Sequence, residues 1–554
     1  MNSIQKKLNE HKGRIALFLF FALFLMAACQ PQSSKTDEQQ LFVGDDVAIA
    51  QTQYGKVQGF VLRDIYQFRG IPYGDNTAGK NRFMPPQPPQ PWDDIRPAVW
   101  WGNTAPQIME GRYNNQWASF VDHWNYDEVS EDCLRLNVWS PALADGKKRP
   151  VLVWLHGGGY TNGNGIEQDG YDGENLSRKG DIVFVSINHR LGPLGYSDLS
   201  GVGGEKYKYS GNAGVLDMIF ALEWVNKNIE NFGGDPSNVT IMGQSGGGAK
   251  VCNLMASPMS QHLVHKAVPL SGSSIQSMDQ NYSQLIGEYI LNEAGLQASE
   301  IDKLQEMPWL EYIHLANRAA RKCAAENEQP GRRGGFSPVA DGEVLPVGKY
   351  FEDAEGEGSK IPMLICTTFH EWNMSRTSPE TEAMTKAEAI ELLQQPGRIR
   401  ANVADNATEV FDAYQALFPN AKPIEIVTLI SSNRKDAVET ANAKAKQPAP
   451  VYMAWFGWEP PLFNGRARAF HCLDICFWFN NTDLMLTHTG GGKRPRQLAD
   501  KMSDALLNFM QSGNPNGSDL PNWPVFTIEN GETMILNDVS EVKNDPDRAA
   551  RELF

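Results

Sequence analysis

Four short apolar runs, rich in β-branched residues, most constrain what this chain can fold into. They are "PVLVWL" at 150–155, "DIVFVSI" at 181–187, "NVTIM" at 238–242 and "KAVPL" at 266–270. Short apolar runs without regular polar alternation are typical of strands buried on both faces of a sheet. Between two of them lies "GVLDMIFALEWVNKNI", whose apolar residues recur at helical spacing. Strands that alternate with helices predict an α/β fold around a central, mostly parallel, twisted sheet.

The rest of the chain extends this pattern. Further strands are predicted at "GKVQGFVL", "IYQFRGIPY", "IPMLICTT" and "PVYMAWFGW", with a long irregular loop region through Trp124. Residues 380–440 are predicted to form a helical insertion, and "LADKMSDALLNFMQSG" an amphipathic helix that stops at Gly513. Since no linker divides these segments, we predict a single domain over residues 46–554.

Composition limits the classes of partner. The chain has 554 residues, of which 41% are apolar, and its formal net charge is −16. The apolar fraction is ample for a large core. The acidic balance argues against nucleic acid and against anionic membrane surfaces as main partners.

The first 45 residues have the composition of an export segment followed by a tether. Basic side chains precede the apolar run "IALFLFFALFLMAA", and a polar tract follows it. Fourteen apolar residues at about 1.5 Å each span roughly 21 Å, which is short of a bilayer core of about 30 Å. We therefore predict a signal peptide at residues 1–28 and a polar tether at residues 29–45.

The residues around Cys29 resemble a bacterial lipoprotein cleavage site. Ala27 and Ala28 are the small residues that such a site requires, whereas Met26 stands where the motif usually has Leu. Cleavage there would make Cys29 the lipidated first residue, and that lipid would be the only membrane contact. The alternatives are a secreted protein without lipid and an uncleaved anchor. Each of them places the folded part outside the cytoplasm, in the cell envelope or beyond it.

The segment "TIMGQSGGGAK" places one serine at the turn from a predicted strand to a predicted helix. Its residues Gly243-Gln244-Ser245-Gly246-Gly247 match the G-x-S-x-G nucleophile elbow. Such a turn strains the serine backbone and leaves no space for neighbouring side chains, so glycine is needed on both sides. The serine would then lie at a helix N-terminus, where the helix dipole favours developing negative charge.

A second glycine motif, "HGGGY" at residues 156–160, follows another predicted strand. Consecutive glycines expose backbone N–H groups that can bind an oxyanion. A tight turn without catalytic role is the alternative for this motif taken alone.

A serine nucleophile needs a histidine base that an acid orients. In the chain order serine, acid, histidine, the late candidates are His370, His471 and His488. Glu371 follows a predicted strand, and His471 lies in the loop after another strand. This order favours Glu371 as the acid and His471 as the base. His370 is then a bystander, and His488 is predicted to be a loop residue.

Together these stretches resemble the type-B carboxylesterases, the α/β-hydrolase group that also contains the cholinesterases. The match runs from about Val47 to Phe554 and includes "FRGIPYG", "SEDCLRLNVWSP", "HGGGY", "GQSGGG", "LSGSS", "FSPVADGEVLP", "TTFHEWN" and "AFHCLDICFWFNN". The resemblance implies the α/β-hydrolase fold, with long loop and helical insertions. It also implies hydrolysis of small carboxylic esters through an acyl-enzyme, without a metal or organic cofactor.

The resemblance also implies roles for individual residues. Ser245 corresponds to the nucleophile, Glu371 to the acid and His471 to the base. The N–H groups of the oxyanion hole would be those of Gly158, Gly159 and Gly246.

Further matches concern residues that support the catalytic residues or the fold. Ser271 in "LSGSS" corresponds to a buried serine that supports the acid. Arg82 and Glu131 correspond to a structural ion pair. The family's first disulfide usually joins the cysteine of "SEDC" to a second cysteine, which is replaced here by Ala105, so Cys133 is predicted to stay free.

Two positions bear on the substrate. Trp124 resembles the choline-binding tryptophan of the cholinesterases, with a packing role as the alternative. Gln244 stands where relatives usually have glutamate. A carboxylate there would favour a cationic ligand and a protonated histidine, so glutamine predicts a substrate that is neutral, or anionic on its acyl side.

Rival functions remain within and beyond this class. A lipase, or an esterase for xenobiotics or natural products, would have the same fold. A non-catalytic binding protein on this fold is the rival from another class. Such relatives typically lose a triad residue, whereas this chain retains all three.

Overall fold

The computed structural model of the protein describes residues 39–109, 128–327, 335–373, 378–395, 401 and 403–554. The chain divides into two compact units, Met1–Phe42 and Val43–Phe554. The first unit is described only at residues 39–42, which include strand β1, Leu41–Phe42. The predicted signal peptide, Cys29 and Trp124 lie outside the described residues. No helix in the described ranges is long and apolar enough to cross a bilayer.

The strands of the second unit are numbered in chain order. They are β2 (Ile49–Thr52), β3 (Gly55–Gln58), β4 (Phe60–Leu62), β5 (Ile65–Pro72), β6 (Arg96–Pro97), β7 (Arg135–Ser140), β8 (Arg149–Leu155), β9 (Val183–Ile187), β10 (Gly234–Gln244), β11 (Lys266–Leu270), β12 (Met278–Asp279), β13 (Val339–Ala340), β14 (Met363–Thr368), β15 (Val451–Phe456), β16 (Glu532–Leu536) and β17 (Glu541–Asn544).

The α-helices are numbered in the same way. They are α1 (Glu174–Gly180), α2 (Gly192–Tyr196), α3 (Ser200–Gly203), α4 (Ala213–Asn228), α5 (Gly246–Ala256), α6 (Gln280–Glu293), α7 (Lys303–Glu306), α8 (Trp309–Glu326), α9 (Lys386–Gln394), α10 (Ala407–Leu417), α11 (Pro423–Ile430), α12 (Arg434–Lys444), α13 (Ile475–Trp478), α14 (Leu486–Thr489), α15 (Lys493–Ser512) and α16 (Arg548–Arg551).

The large sheet of the second unit is parallel through its middle. Its strands follow the order β4-β5-β7-β9-β8-β10-β11-β14-β15-β16-β17. Pairing is parallel from β9 to β16. It is antiparallel where β4, β5 and β7 extend one side and where β17 closes the other. The predicted α/β fold with a mostly parallel sheet is thus confirmed.

Both faces of this sheet are buried, which explains the continuous apolar runs. In β8, Val151, Val153 and Leu155 pack in one core cluster, whereas Leu152 and Trp154 pack in another. Successive side chains of a strand point to opposite faces, so each face receives every second residue. Helices α4 and α5 contribute to the first cluster, and α13 and α15 to the second.

The predicted elements are present with small shifts at their ends. The runs at 150–155, 181–187, 238–242 and 266–270 form β8, β9, β10 and β11. The helical insertion at 380–440 contains α9, α10 and α11 and the start of α12. The amphipathic helix α15 ends before Gly513, whose backbone is left-handed (φ 77°).

The predicted ion pair between Arg82 and Glu131 is present and buried. Arg82 Nε and Nη2 donate to the two carboxylate oxygens of Glu131 at 2.7 and 2.6 Å. Its Nη1 donates to the carbonyl oxygen of Leu304 at 3.0 Å, which ties the early loop region to α7. Cys133 carries a free thiol, as predicted. The other described cysteines of the second unit also form no disulfide, namely Cys252, Cys323, Cys366, Cys472 and Cys476.

Candidate active site

Ser245 occupies the turn between β10 and α5 in a strained conformation. Its backbone has φ 59° and ψ −124°, a combination that residues with a Cβ atom avoid. A Cβ atom on Gly243 would lie 2.5 Å from the main chain of Gly247. A Cβ atom on Gly247 would lie 2.0 Å from the carbonyl oxygen of Leu155. The glycines on either side of the serine are therefore required by the close approach of the backbone, as the sequence predicts.

The glycine loop after β8 lies against the first residue of α5. Gly158 and Gly159 have left-handed backbones, with φ 83° and 63°. A Cβ atom on Gly246 would lie 2.2 Å from the carbonyl oxygen of Gly159, so the two backbones are in contact. The N–H groups of Gly158 and Gly159 donate to no other main-chain group in the described part of the chain. The structure thus brings together the three glycines predicted to form an oxyanion hole.

Glu371 and His471 form a direct hydrogen bond. His471 Nδ1 is bonded to Glu371 Oε2, and the other oxygen of this buried carboxylate accepts the N–H of Thr368 at 3.0 Å. A carboxylate at Nδ1 fixes the tautomer of the imidazole and leaves the lone pair on Nε2. This is the arrangement that a histidine needs to act as a base.

The main chain aligns the two loops that carry this pair. Glu371 follows β14, and His471 lies in the loop that follows β15. The N–H of His471 donates to the carbonyl oxygen of Glu371, and the N–H of His370 donates to that of Ala469, each at 3.0 Å. The Trp372 ring stacks on the His471 ring at a centroid distance of 4.2 Å.

Gln244 connects the histidine to the serine elbow. It is fully buried, and its Nε2 lies 3.3 Å from both ring nitrogens of His471. Cys472 Sγ donates to its Oε1 at 3.2 Å. These contacts place His471 and Cys472 against the residue that directly precedes Ser245 in the chain.

Comparison with known proteins agrees with this geometry. The sequence pattern of the Carboxylesterase family matches residues 46–553. The chain belongs to the carboxylesterase family. It is 34% identical over 514 residues to the para-nitrobenzyl esterase of Bacillus subtilis (strain 168), which covers 91% of this chain and 98% of that protein.

Solved structures are similar over nearly the whole chain. An esterase from Clostridium hathewayi, described as able to hydrolyse aliphatic aromatic polyesters, superposes with a TM-score of 0.78 and 33% identity, covering 93% of this chain and 99% of that one. A carboxylesterase of Geobacillus stearothermophilus gives a TM-score of 0.72 at 33% identity, covering 91% and 99%. The protein is accordingly a carboxylic ester hydrolase with the α/β-hydrolase fold.

Ser271, which the resemblance implies to be a buried support of the acid, is held in place through its main chain. It is buried, but its hydroxyl has no hydrogen-bond partner in the described residues. Its backbone is left-handed (φ 47°), and its N–H donates to the carbonyl oxygen of Cys366 at 2.8 Å. Its hydroxyl therefore makes no hydrogen bond to Glu371 among the described residues, and its support of the acid stays a prediction.

Asp474 is a buried acid near the pair that the sequence analysis did not single out. Its side chain is fully buried, and its Oδ2 accepts the indole N–H of Trp478 at 3.3 Å. Burial, reinforced by the charge of Glu371, raises the pKa of Asp474 to about 7. A carboxyl group with so high a pKa is partly protonated at neutral pH and therefore adds less negative charge beside Glu371.

Lys250 is a buried base in the helix that begins after the serine. Its side chain is fully buried, and its Nζ donates to the carbonyl oxygen of His156 at 2.9 Å. Burial lowers the pKa of Lys250 to about 7, against a smaller opposite effect of Glu167. This side chain fixes the first residue of the glycine loop.

Asn253 holds the other end of the same loop. Its Nδ2 donates to the hydroxyl of Tyr160 at 2.8 Å, and its Oδ1 accepts the hydroxyl of Tyr350 at 3.1 Å. Positions 250 and 253 are three residues apart and so lie on one face of α5. One helix face therefore fixes both ends of the loop that carries Gly158 and Gly159.

The other late histidines have separate environments. His488 lies in the short helix α14 and is fully buried, so its prediction as a loop residue was wrong. His370 is buried and is bonded through Nδ1 to the hydroxyl of Thr428 at 2.8 Å. Together with Glu425 and Glu459 it forms the one group of side chains, among the residues described, that could hold a metal ion.

We predict that Lys250→Met lowers kcat about 10-fold while KM stays within about twofold. Removing the donor frees the His156 carbonyl and displaces the loop glycines, and full loss of one oxyanion donor costs about 100-fold. The measurement is steady-state kinetics on a soluble neutral ester. Lys444→Met is the matched control, because Lys444 is also buried with a pKa lowered to about 7 but donates to residues 358, 359 and 447. An unchanged kcat in Lys250→Met would contradict this role.

The same variant tests the burial of the base by its pH dependence. The folded state holds Lys250 with a lowered pKa, so between pH 7 and 10 the unfolded chain binds one more proton than the folded chain. The free energy of unfolding of the wild type should therefore rise relative to Lys250→Met over this range. The rise is on the order of 4 kcal/mol, since each pH unit contributes about 1.4 kcal/mol. Urea unfolding at both pH values measures it.

Proposed function

We propose that Ser245, Glu371 and His471 carry out the ester hydrolysis of this protein through an acyl-enzyme. The observation that supports this most directly is the hydrogen bond between His471 and the buried Glu371, beside the strained serine turn. The oxyanion would be held by the N–H groups of Gly158, Gly159 and Gly246, whose backbones meet at the start of α5.

The reaction has two similar halves. His471 Nε2 takes the hydroxyl proton of Ser245 as the oxygen attacks the ester carbonyl carbon, whose oxygen becomes an oxyanion. The oxyanion collapses and expels the alkoxy group, which leaves as an alcohol with the proton from His471. Water then loses a proton to His471 and attacks the acyl-serine. Collapse of the second oxyanion releases the carboxylic acid and returns the proton to the serine oxygen.

Substituting Ser245→Ala should remove nearly all turnover, because no other group would form the acyl-enzyme. Incubation with an organophosphate should label the wild type once, on the peptide that contains Ser245. Mass spectrometry of the digested protein identifies the site, with Ser245→Ala as the control that should stay unlabelled. A label on any other residue would overturn the assignment.

We further propose that the substrates are neutral around the acyl group. The support is Gln244, which places an uncharged amide 3.3 Å from the imidazole where relatives usually have a carboxylate. The alcohol named in the para-nitrobenzyl esterase of Bacillus subtilis is also uncharged, in line with this class. An uncharged amide neither attracts a cationic substrate nor stabilises a protonated histidine.

Neutral esters should be hydrolysed with higher kcat/KM than choline esters of equal acyl length. In Gln244→Glu the acid limb of the pH profile of kcat/KM should move to higher pH by about one unit, because a nearby carboxylate favours the protonated imidazole. Gln244→Met is the control, since it keeps a similar volume without charge. A strong preference of the wild type for choline esters would refute the proposal.

For the N-terminus we propose cleavage before Cys29 and lipidation of its thiol. The support is the order of basic residues, a short apolar run and two alanines before the cysteine. Cells that express the full chain and are fed a labelled fatty acid should label the wild type in the membrane fraction. Cys29→Ser should abolish the label, with Cys133→Ser as a control that keeps it. Label retained in Cys29→Ser would contradict the proposal.

A further inference from the structure

Three ligand-type side chains from separate segments converge beside the loop that carries Glu371. They are His370 after β14, Glu425 in α11 and Glu459 after β15. One ligand atom of each lies within 4.8 Å of the others. His370 is 4% exposed, so its imidazole is held inside the protein and faces outward onto the two carboxylates.

The hydrogen bonds of His370 determine which ring nitrogen has the lone pair. The hydroxyl of Thr428 donates its only hydrogen to the carbonyl oxygen of Glu425 at 2.9 Å. His370 Nδ1 lies 2.8 Å from the same hydroxyl oxygen, so Nδ1 must be the donor in that contact. In the neutral ring, Nε2 therefore carries a lone pair, which is the ligand form of imidazole. A hydrogen bond at the other nitrogen is also how proteins orient metal-binding histidines.

The spacing of the facing atoms fits coordination better than a hydrogen bond. His370 Nε2 lies 3.5 Å from Glu459 Oε1, which is long for a charge-assisted hydrogen bond of about 2.8 Å. Ligands at about 2.0–2.1 Å from a tetrahedral zinc ion are separated by roughly 3.3 Å. In the neutral ring with Nδ1 as the donor, the lone pair of Nε2 faces the carboxylate of Glu459, and a cation between them would relieve the repulsion.

Glu425 also has partners within the protein, since its Oε2 accepts the backbone N–H of Lys422 at 2.7 Å. Arg468 Nε lies 2.9 Å from Glu425 Oε1 but is not aligned for a hydrogen bond. The Nη2 group of Arg468 instead donates to both oxygens of Glu382, at 3.1 and 3.0 Å. Lys422 also pairs with Glu382, so the charge of Glu382 partly neutralises both Lys422 and Arg468. Each oxygen of Glu425 can accept more than one partner.

We propose that His370, Glu425 and Glu459 bind a divalent transition cation of the Zn²⁺ type, with water as the fourth ligand. The donor set of one imidazole and two carboxylates suits this class of ion. The exposed face of Glu459 gives the ion an entry path, and rotation of that side chain closes the coordination shell. The role is structural, since the ion would cross-link the loop after β14 to α11 and to the loop after β15.

The test is binding of Zn²⁺ alone to the full-length protein after treatment with a chelator. Isothermal titration calorimetry should give one site in the wild type, and its affinity should fall at least 10-fold in Glu459→Gln and in His370→Gln. Glu529→Gln is the matched control, because Glu529 is exposed and lies outside the group, and it should bind as the wild type does. Circular dichroism checks that each variant is folded.

A second variant separates coordination from general loss of structure. Thr428→Val removes the acceptor that fixes the Nδ1–H tautomer but removes no ligand, so it should weaken binding several-fold, less than loss of a ligand does. Zn²⁺ should also raise the melting temperature of the wild type and not that of Glu459→Gln. Equal affinity in the wild type and Glu459→Gln would overturn the proposal. Loss of the site in His471→Ala, with Glu459→Gln unaffected, would overturn it as well.

Discussion

The left-handed backbone of Ser245 is the constraint around which the rest of the site is arranged. The chain can turn from a strand into a helix at a single residue only if that residue has a positive φ and its neighbours carry no side chains. The packing leaves no alternative, since a Cβ atom on Gly272 would lie 1.6 Å from the carbonyl oxygen of Ser245. The N–H of Ser245 is tied to the carbonyl oxygen of Leu270 at 2.8 Å, so β11 holds the turn from its other side. Strain at the serine is thus held in place by the backbone of β11 and of the residues that follow it.

A second feature of the site is that two ionisable side chains are buried close to it, and each is only partly charged at neutral pH. Lys250 supports the glycine loop and Asp474 lies near Glu371, and burial shifts the pKa of each toward neutrality. A permanent charge at either position would be costly to bury and would perturb the histidine through a medium of low polarity. Nearly neutral groups still donate and accept hydrogen bonds. They can therefore shape the site while leaving Glu371 as the charge that orients His471.

Much of this architecture could be predicted from the sequence because it depends on local rules. Continuous apolar runs indicate strands that are buried on both faces. The glycines around Ser245 indicate a close approach of the backbone. The chain order serine, acid, histidine favours His471 over His370 as the base. The bond of Lys250 to His156 and the proximity of Asp474 to Glu371 could not be predicted, because each joins two distant segments of the chain. A signal did exist, since each is a single charge within an apolar stretch, "KVCNLMA" and "LDICFWF". Ser271 shows that a motif can be present while its hydroxyl makes no hydrogen bond in the described residues.

The free thiols of the second unit have a consequence for where this enzyme can fold. Its described cysteines form no disulfide, and five of the six are buried inside the apolar core. Packing and ion pairs such as that of Arg82 with Glu131 take the place of covalent cross-links, so folding needs no oxidant and no isomerase. The packing of this unit therefore does not depend on the oxidation of its described cysteines. If the chain is exported as proposed, its compartment would determine which esters it meets, whereas disulfide formation would play no part in reaching the native state.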